Sequence, residues 1–183
     1  GKMRAEGKEY VVKDGDVLLM DFGSEYANYA ADLTRSIPVS GTFTDRQRAV
    51  YNSVLHVLKE ARAMLVPGTT LEEYNKEVGK IMESELLKLG LISRDDIEKQ
   101  DKNWPAYKKY FMHGTSHHLG LDVHDAGLYG PLEEGNVITV EPGIYIAAGS
   151  PCDQKYWNIG VRIEDDVLIT DGKPTVLSES IPR

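Results

Sequence analysis

The 183-residue sequence has few cysteines, no long apolar run and no excess of positive charge. Its single cysteine, Cys152, cannot form an internal disulfide and has no cysteine or histidine neighbour at metal-binding spacing. We therefore expect a reducing compartment, the cytoplasm. Apolar stretches such as residues 17–20 are far shorter than the roughly 20 residues of a membrane-spanning helix, and no signal peptide is visible, so we expect no membrane association.

The acidic composition argues against one class of partner. The chain has 29 Asp and Glu residues against 21 Lys and Arg residues, which gives a formal net charge of −8. Nucleic acid binding requires basic side chains clustered on one face, so we expect no nucleic acid partner. Some of the carboxylates, however, stand within or beside strongly apolar segments, and a solvated surface does not explain them.

Strands are predicted near both ends of the chain, which is short enough to form a single domain over residues 1–183. Apolar segments at 17–23 and 29–39 predict a β-hairpin. Further strands are predicted at 136–141 and 160–170.

Two amphipathic helices are predicted between these β-rich segments. Apolar residues recur at helical spacing after Thr44 and after Thr70, each of which begins a capping signal, and Gly90 marks the end of the second helix. Residues 93–110 predict a short helix or an irregular connection. This segregation predicts an α+β fold in which helices cover one face of a mostly antiparallel sheet, rather than a doubly wound fold.

Candidate metal ligands stand within or beside the apolar segments. An ionised carboxylate is tolerated there only if it is paired, protonated or bound to a metal, and Arg35 and Arg162 could neutralise only two. Carboxylates with one imidazole suit Mn, Zn or Co, and two ions would balance the negative charge better than one. Each residue alone could equally be a turn or surface residue, and the joint pattern is what favours a site. The candidates are Asp21, Asp32, His117, Glu141 and Glu164.

Four segments, at 20–36, 113–125, 140–143 and 162–166, resemble in order the motifs of proline-specific metallopeptidases with the pita-bread fold. The second segment is more similar to aminopeptidase P than to prolidase. The resemblance covers nearly the whole chain and implies the curved antiparallel sheet of that fold. It also implies an Xaa-Pro aminopeptidase, which hydrolyses the bond between an N-terminal residue and a following proline.

The resemblance implies two divalent metal ions, with Mn²⁺ expected and Zn²⁺ or Co²⁺ able to replace it. Asp21 would bind one ion, and Asp32 and Glu164 would bridge both. His117 and Glu141 would complete the coordination of the second ion.

Other residues would act on the substrate or orient a ligand. Glu141 would also carry a proton, and His124 would hydrogen-bond the tetrahedral intermediate. His113 would line the substrate pocket. Arg162 would pair with Asp32 and fix its orientation, as the groups around metal ligands commonly do. The expected partners are peptides with proline in second position, and a homo-oligomer is possible.

Two alternatives stay open: a prolidase restricted to dipeptides, and a catalytically inactive pita-bread module that binds proteins. Modules of the second kind typically lack metal ligands, whereas all five candidates are present here. The family usually carries a further substrate-contacting histidine ahead of the first metal-binding strand, together with an N-terminal domain. Neither is recognisable in this sequence, so we expect the leading segment to be missing and the isolated chain to bind metal but hydrolyse peptides weakly or not at all.

Overall fold

The computed structural model describes residues 2–5, 8–127 and 130–183. Three α-helices lie between two groups of strands, and 3₁₀ turns cover Ala106–Lys109 and Gln154–Tyr156. The helices are α1 (Asp45–Ala63), α2 (Leu71–Leu89) and α3 (Arg94–Glu98). The strands are β1 (Lys2–Ala5), β2 (Lys8–Val11), β3 (Val17–Phe22), β4 (Glu25–Tyr26), β5 (Tyr29–Ala30), β6 (Leu33–Pro38), β7 (Val137–Val140), β8 (Gly143–Ile146), β9 (Ile159–Arg162), β10 (Asp165–Leu168) and β11 (Thr175–Val176).

Antiparallel pairing joins the strands throughout the described ranges. The pairs are β1 with β2, β3 with β6, β4 with β5 and β8 with β9, and β10 lies between β7 and β11. The predicted mostly antiparallel arrangement is confirmed. No helix within these ranges has the length and apolar character needed to cross a membrane.

Both long helices begin and end where local chemistry favours it. Thr44 and Gln47 form a reciprocal capping box at the start of α1, with Gln47 N donating to Thr44 Oγ1 at 3.3 Å and Thr44 N donating to Gln47 Oε1 at 2.9 Å. Helix α2 ends at Gly90, whose φ of 70° lies in the left-handed region that glycine adopts without strain. The two predicted helices are confirmed.

The core lies where α1 contacts α2 and the strands β7, β8 and β9. Val54 and Leu58 of α1 are completely buried, as are Met82 of α2, Ile144 of β8 and Val161 of β9. Helices thus cover the strands with continuous apolar contact, and the strand ends remain free to carry polar groups.

Two predicted strands are interrupted in the structure. The segment 160–170 forms β9 and β10 with a break at Glu164, whose N–H donates to the carbonyl of Thr34 at 3.0 Å instead of continuing a ladder. The segment 29–39 is likewise interrupted, just before β6, at Asp32. Strand β8 was not predicted. Both interruptions fall at candidate ligands. At Asp32 and at Glu164 the backbone leaves the regular strand hydrogen bonding.

Candidate metal centre

The candidate ligands lie at strand ends. Asp21 is near the end of β3, Asp32 precedes β6, Glu141 follows β7, and Glu164 separates β9 from β10. His117 lies beside β7, because the N–H of Thr139 donates to its carbonyl at 2.9 Å. Antiparallel pairing of β3 with β6 and of β7 with β10 brings these ends together.

Three of the side chains converge within coordination range. Asp32, His117 and Glu164 each offer a ligand atom, and these atoms lie within 4.8 Å of one another. His117 Nε2 is 3.5 Å from Asp32 Oδ2 and 3.5 Å from Glu141 Oε1. Asp32, Glu141 and Glu164 therefore all lie beside His117, and Asp21 is within hydrogen-bond reach of Asp32.

The tautomer of His117 suits metal binding. Its Nδ1 lies 3.0 Å from the carbonyl oxygen of His118, and because a carbonyl can only accept, Nδ1 carries the proton. Nε2 is left facing the carboxylates of Asp32 and Glu141. A backbone acceptor on the other ring nitrogen is the usual support for a histidine ligand.

Glu164 presents an oxygen without a partner. Its Oε2 accepts a hydrogen bond from Thr34 Oγ1 at 2.6 Å, whereas its Oε1 is buried and has no hydrogen-bond partner among the described residues. An unsatisfied buried carboxylate oxygen is costly unless a proton or a cation compensates it. The donor set, carboxylates with one imidazole and no thiolate, fits divalent ions such as Mn²⁺, Zn²⁺ or Co²⁺.

The raised pKa values of the clustered carboxyls also indicate a site that lacks positive charge. Burial raises the pKa of Glu141 to about 7 and the pKa of Glu164 to about 8. Burial, followed by the charge of Asp21, also raises the pKa of Asp32. The chain alone thus favours protonated carboxyls at this point, and bound cations would favour the ionised forms.

Arg162 contacts Asp21, which corrects the expectation that it would pair with Asp32. Its Nη2 forms an ion pair with Asp21 Oδ2, its Nε donates to Thr34 Oγ1 at 3.2 Å, and its Nη1 donates to the Tyr145 hydroxyl at 3.1 Å. Strand β9, which carries Arg162, lies against β3, which carries Asp21. Asp32 instead directs its carboxylate towards His117.

The two further candidate histidines lie on different sides of the cluster. The ring of His124 packs edge-on against that of His117, with centroids 4.3 Å apart. The Nδ1 of His113 donates to the Gly114 carbonyl at 2.7 Å, so its Nε2 accepts from the Tyr145 hydroxyl at 2.7 Å. Burial lowers the pKa of His113, which favours this neutral form.

Tyr145 and Thr34 were missed by the sequence analysis. Tyr145 lies on β8, a strand that was not predicted, and it links His113 to Arg162. Thr34 neighbours Asp32 and orients Glu164. Both could have been found from their positions on strands that begin at candidate ligands: Thr34 is two residues after Asp32, and Tyr145 is four residues after Glu141.

A cleft of about 380 Å³ opens beside these groups. Asp21 and Asp32 line one part of it, and Val123 and His124 line another. The cleft gives a small ligand access to the candidate centre.

The antiparallel fold with a carboxylate-rich centre at its strand ends is that of metallopeptidase family M24, to which the chain belongs, since the family's model matches residues 3–171. The chain is 46% identical over 180 residues to Xaa-Pro aminopeptidase of Escherichia coli, covering 96% of this chain and 40% of that protein. It is 38% identical over 177 residues to human Xaa-Pro aminopeptidase 3, covering 94% and 34% of the two chains.

A solved structure agrees with these relatives. E. coli aminopeptidase P with the inhibitor Pro-Leu superposes with a TM-score of 0.88 and 44% identity, over 96% of this chain and 40% of that one. The predicted pita-bread α+β fold and the resemblance to aminopeptidase P are therefore confirmed. The chain spans about 40% of the length of the E. coli protein.

Proposed function

We propose that this chain is the catalytic, metal-binding part of an Xaa-Pro aminopeptidase. The observation that carries the proposal is the convergence of Asp32, His117 and Glu164 within 4.8 Å, with His117 Nε2 facing the carboxylates of Asp32 and Glu141. Its relatives are named Xaa-Pro aminopeptidases, which supports the same substrate class here. Peptides with proline in second position would be the partners.

The proposed centre would hold two divalent ions, and the side chains that would bind them are those of Asp21, Asp32, His117, Glu141 and Glu164. Bound ions of this class lower the pKa of a water molecule and polarise a carbonyl. Mn²⁺ is the ion we propose; Zn²⁺ or Co²⁺ fits the same donors, and a zinc-substituted structure exists for the E. coli relative.

The remaining residues have separate proposed roles. Glu141, whose Oε1 lies 3.5 Å from His117 Nε2, would accept and release a proton during the reaction. His124, packed on His117, would hydrogen-bond the scissile carbonyl oxygen as it becomes negative. His113 would line the substrate pocket. Arg162 would hold Asp21 in place rather than touch substrate.

Two competing functions make different predictions. A prolidase would cleave Xaa-Pro dipeptides and not longer peptides, whereas an Xaa-Pro aminopeptidase cleaves longer ones. A binding-only module would need no ions, and the convergence of Asp32, His117 and Glu164 argues against it. A cytoplasmic location, a homo-oligomer and weak activity of the isolated chain remain predictions.

Titration of the purified chain with Mn²⁺ by calorimetry tests the proposal. We expect two equivalents to bind, and we expect Asp32→Asn to lose both because Asp32 converges with His117 and Glu164 and would lose its negative charge. Asp14→Asn, an exposed acid on the loop before β3, is the matched control and should bind as the wild type does. No binding by the wild-type chain would contradict the proposal.

Substrate class is tested separately with manganese-loaded protein. We expect any hydrolysis to be confined to Xaa-Pro tripeptides, compared with Xaa-Ala tripeptides and Xaa-Pro dipeptides of the same first residue. Cleavage of the dipeptide alone would favour the prolidase function.

A further inference from the structure

Asp165 is completely buried and receives three guanidinium groups. Arg35 Nη2 lies 3.1 Å from its Oδ1, while Arg62 Nη1 and Arg183 Nε lie 3.1 Å and 2.8 Å from its Oδ2. The hydroxyl of Ser178 donates to Oδ1 at 2.8 Å. One carboxylate thereby joins α1, β6, β10 and the segment 178–183. Arg35, which was expected to neutralise a candidate ligand, forms its ion pair with Asp165 instead.

Stability alone does not explain this cluster. Three cations share one buried anion, and the Nε of Arg62 and the Nη2 of Arg183 have no hydrogen-bond partner among the described residues. Buried ion pairs cost desolvation free energy that their attraction often fails to exceed, and apolar replacements are frequently as stable. A role of the cluster in positioning neighbouring groups therefore accounts for it better than stability does.

Arg35 connects the cluster to the metal centre. Its Nη1 donates to the carbonyl of Glu164 at 2.5 Å and to the carbonyl of Thr34 at 2.9 Å. Thr34 in turn accepts from the N–H of Glu164 and donates from its hydroxyl to Glu164 Oε2 at 2.6 Å. The backbone and the carboxylate of Glu164 are thus fixed by one pair of neighbouring residues.

The same two segments are joined on either side of Glu164. The N–H of Asp32 donates to Asp166 Oδ2 at 3.2 Å, and the hydroxyl of Ser36 donates to the carbonyl of Arg162 at 2.9 Å. Residues 32–36 and 162–166 are therefore connected at four positions along their length, each time by at least one side chain. Each segment carries proposed metal ligands, so their relative position sets the geometry of the centre.

The C-terminal segment is held by the same groups. Arg35 Nε donates to the carbonyl of Pro182 at 2.8 Å, and Arg35 Nη2 donates to that of Ile181 at 3.2 Å. The segment thus contacts both partners of the Arg35–Asp165 ion pair.

We propose that Asp165 is a positioning residue for the metal centre: through Arg35 it fixes the backbone of Glu164. Residues 178–183 would support this role by holding Asp165 and Arg35 in place. The inference rests on the proposed function, because it needs Glu164 to bind metal. Asp165 would touch neither metal nor substrate. It would determine the position of Glu164 relative to Asp32.

Asp165→Asn tests the proposal, because it keeps the size of the side chain and removes its charge. In the folded variant we expect Mn²⁺ affinity, measured by calorimetry, to fall about 10- to 100-fold, the loss typical when a group supporting a metal ligand is removed. Thermal unfolding of the metal-free chain is measured in parallel. A purely structural role would lower the midpoint temperature and leave the Mn²⁺ affinity of the folded chain unchanged.

Glu85→Gln is the matched control. Glu85 is also a buried acid, 6% exposed, paired with Lys88 on α2 and contacting none of the proposed ligands. We expect it to change the unfolding temperature and not the Mn²⁺ affinity. Should Asp165→Asn fail to fold, Ser178→Ala and Arg183→Gln decide the matter, because each removes one contact to Asp165 and should weaken Mn²⁺ binding by a smaller factor.

Two results would overturn the inference and can be told apart. Wild-type affinity in folded Asp165→Asn, or in both milder variants, would refute the positioning role and leave the proposed function standing. Failure of the wild-type chain to bind Mn²⁺ would refute the proposed function and this inference with it.

Discussion

Arg162 and Asp21 form an ion pair that joins the last residue of β9 to the penultimate residue of β3. The Asp21 side chain is 48% exposed, whereas that of its partner is 17% exposed. An exposed carboxylate on a strand end has several accessible rotamers, so the arginine selects one of them. The same guanidinium contacts Thr34 and Tyr145, which ties the orientation of Asp21 to two other groups beside the site.

Replacing Arg162 with glutamine should weaken metal binding. Asp21 would lose its charged partner and Tyr145 one of its donors, so we expect Mn²⁺ affinity to fall about 10- to 100-fold. Calorimetric titration measures this, with Arg48→Gln on the exposed face of α1 as the control. Unchanged affinity in Arg162→Gln would show that Asp21 is oriented without it or binds no metal.

Gly23→Ala should push the segment that carries Asp21 away from the segment that carries Asp32. A Cβ at position 23 would lie 1.6 Å from the carbonyl oxygen of Ala31, a backbone atom that cannot move without shifting Asp32. We expect loss of Mn²⁺ binding and destabilisation of about 1–3 kcal/mol, as for overpacking elsewhere. Calorimetry and denaturant unfolding measure the two effects. Gly130→Ala, where a Cβ meets no atom within 4 Å, is the control, and equal behaviour of both variants would contradict the prediction.

Truncation of the helical core should cost stability throughout the chain. Leu58 is completely buried on α1, so Leu58→Ala removes apolar contacts and leaves a cavity. We expect a loss of about 2–5 kcal/mol in the free energy of unfolding, measured in urea. Val66→Ala, at a position 40% exposed, should cost much less. Similar losses in the two variants would show that α1 is not packed as described.

The helices and the order of the motifs could be predicted from the sequence because their signals are local. The caps at Thr44 and Gly90 and the apolar spacing between them determine α1 and α2 over a few turns. Strand β3 was also predicted from a local signal, the apolar residues at 17–20. The division of 160–170 into two strands was not, because the break at Glu164 is made by Thr34, which is distant in sequence.

The site shows the same limit. All five candidate ligands were selected by carboxylates or imidazole beside apolar runs together with the family resemblance, and the structure places Asp32, Glu141 and Glu164 beside His117. The partner of Arg162 was wrongly expected, because Asp21 and Asp32 are equally acidic in sequence and only the packing of β9 against β3 distinguishes them. The cluster around Asp165 depends on α1 and the C-terminal segment, and no local pattern indicates it.

The metal-free chain should lose stability as the pH rises from about 5 to 8. Glu141 and Glu164 have pKa values of about 7 and about 8 in the folded chain, raised mainly by burial from an ordinary value of 4.5. Between these limits the folded chain binds more protons than the unfolded chain, so the free energy of unfolding falls with increasing pH. His113, with a lowered pKa, opposes this only below its ordinary 6.5.

Chemical denaturation of the metal-free chain at pH 5.5, 6.5, 7.5 and 8.5 measures the effect. We expect a decrease of at least about 1.4 kcal/mol, the equivalent of one pKa unit, with the curve flattening towards pH 8.5 as both carboxyls become ionised in the folded chain as well. Glu164→Gln should flatten the curve, because it removes the titrating group, whereas the exposed Glu134→Gln should not. Saturating Mn²⁺ should reverse the trend, since cations bind the ionised carboxylates and are displaced by protons. A metal-free chain whose stability rises over this range would show that these carboxyls are not buried as the structure has them.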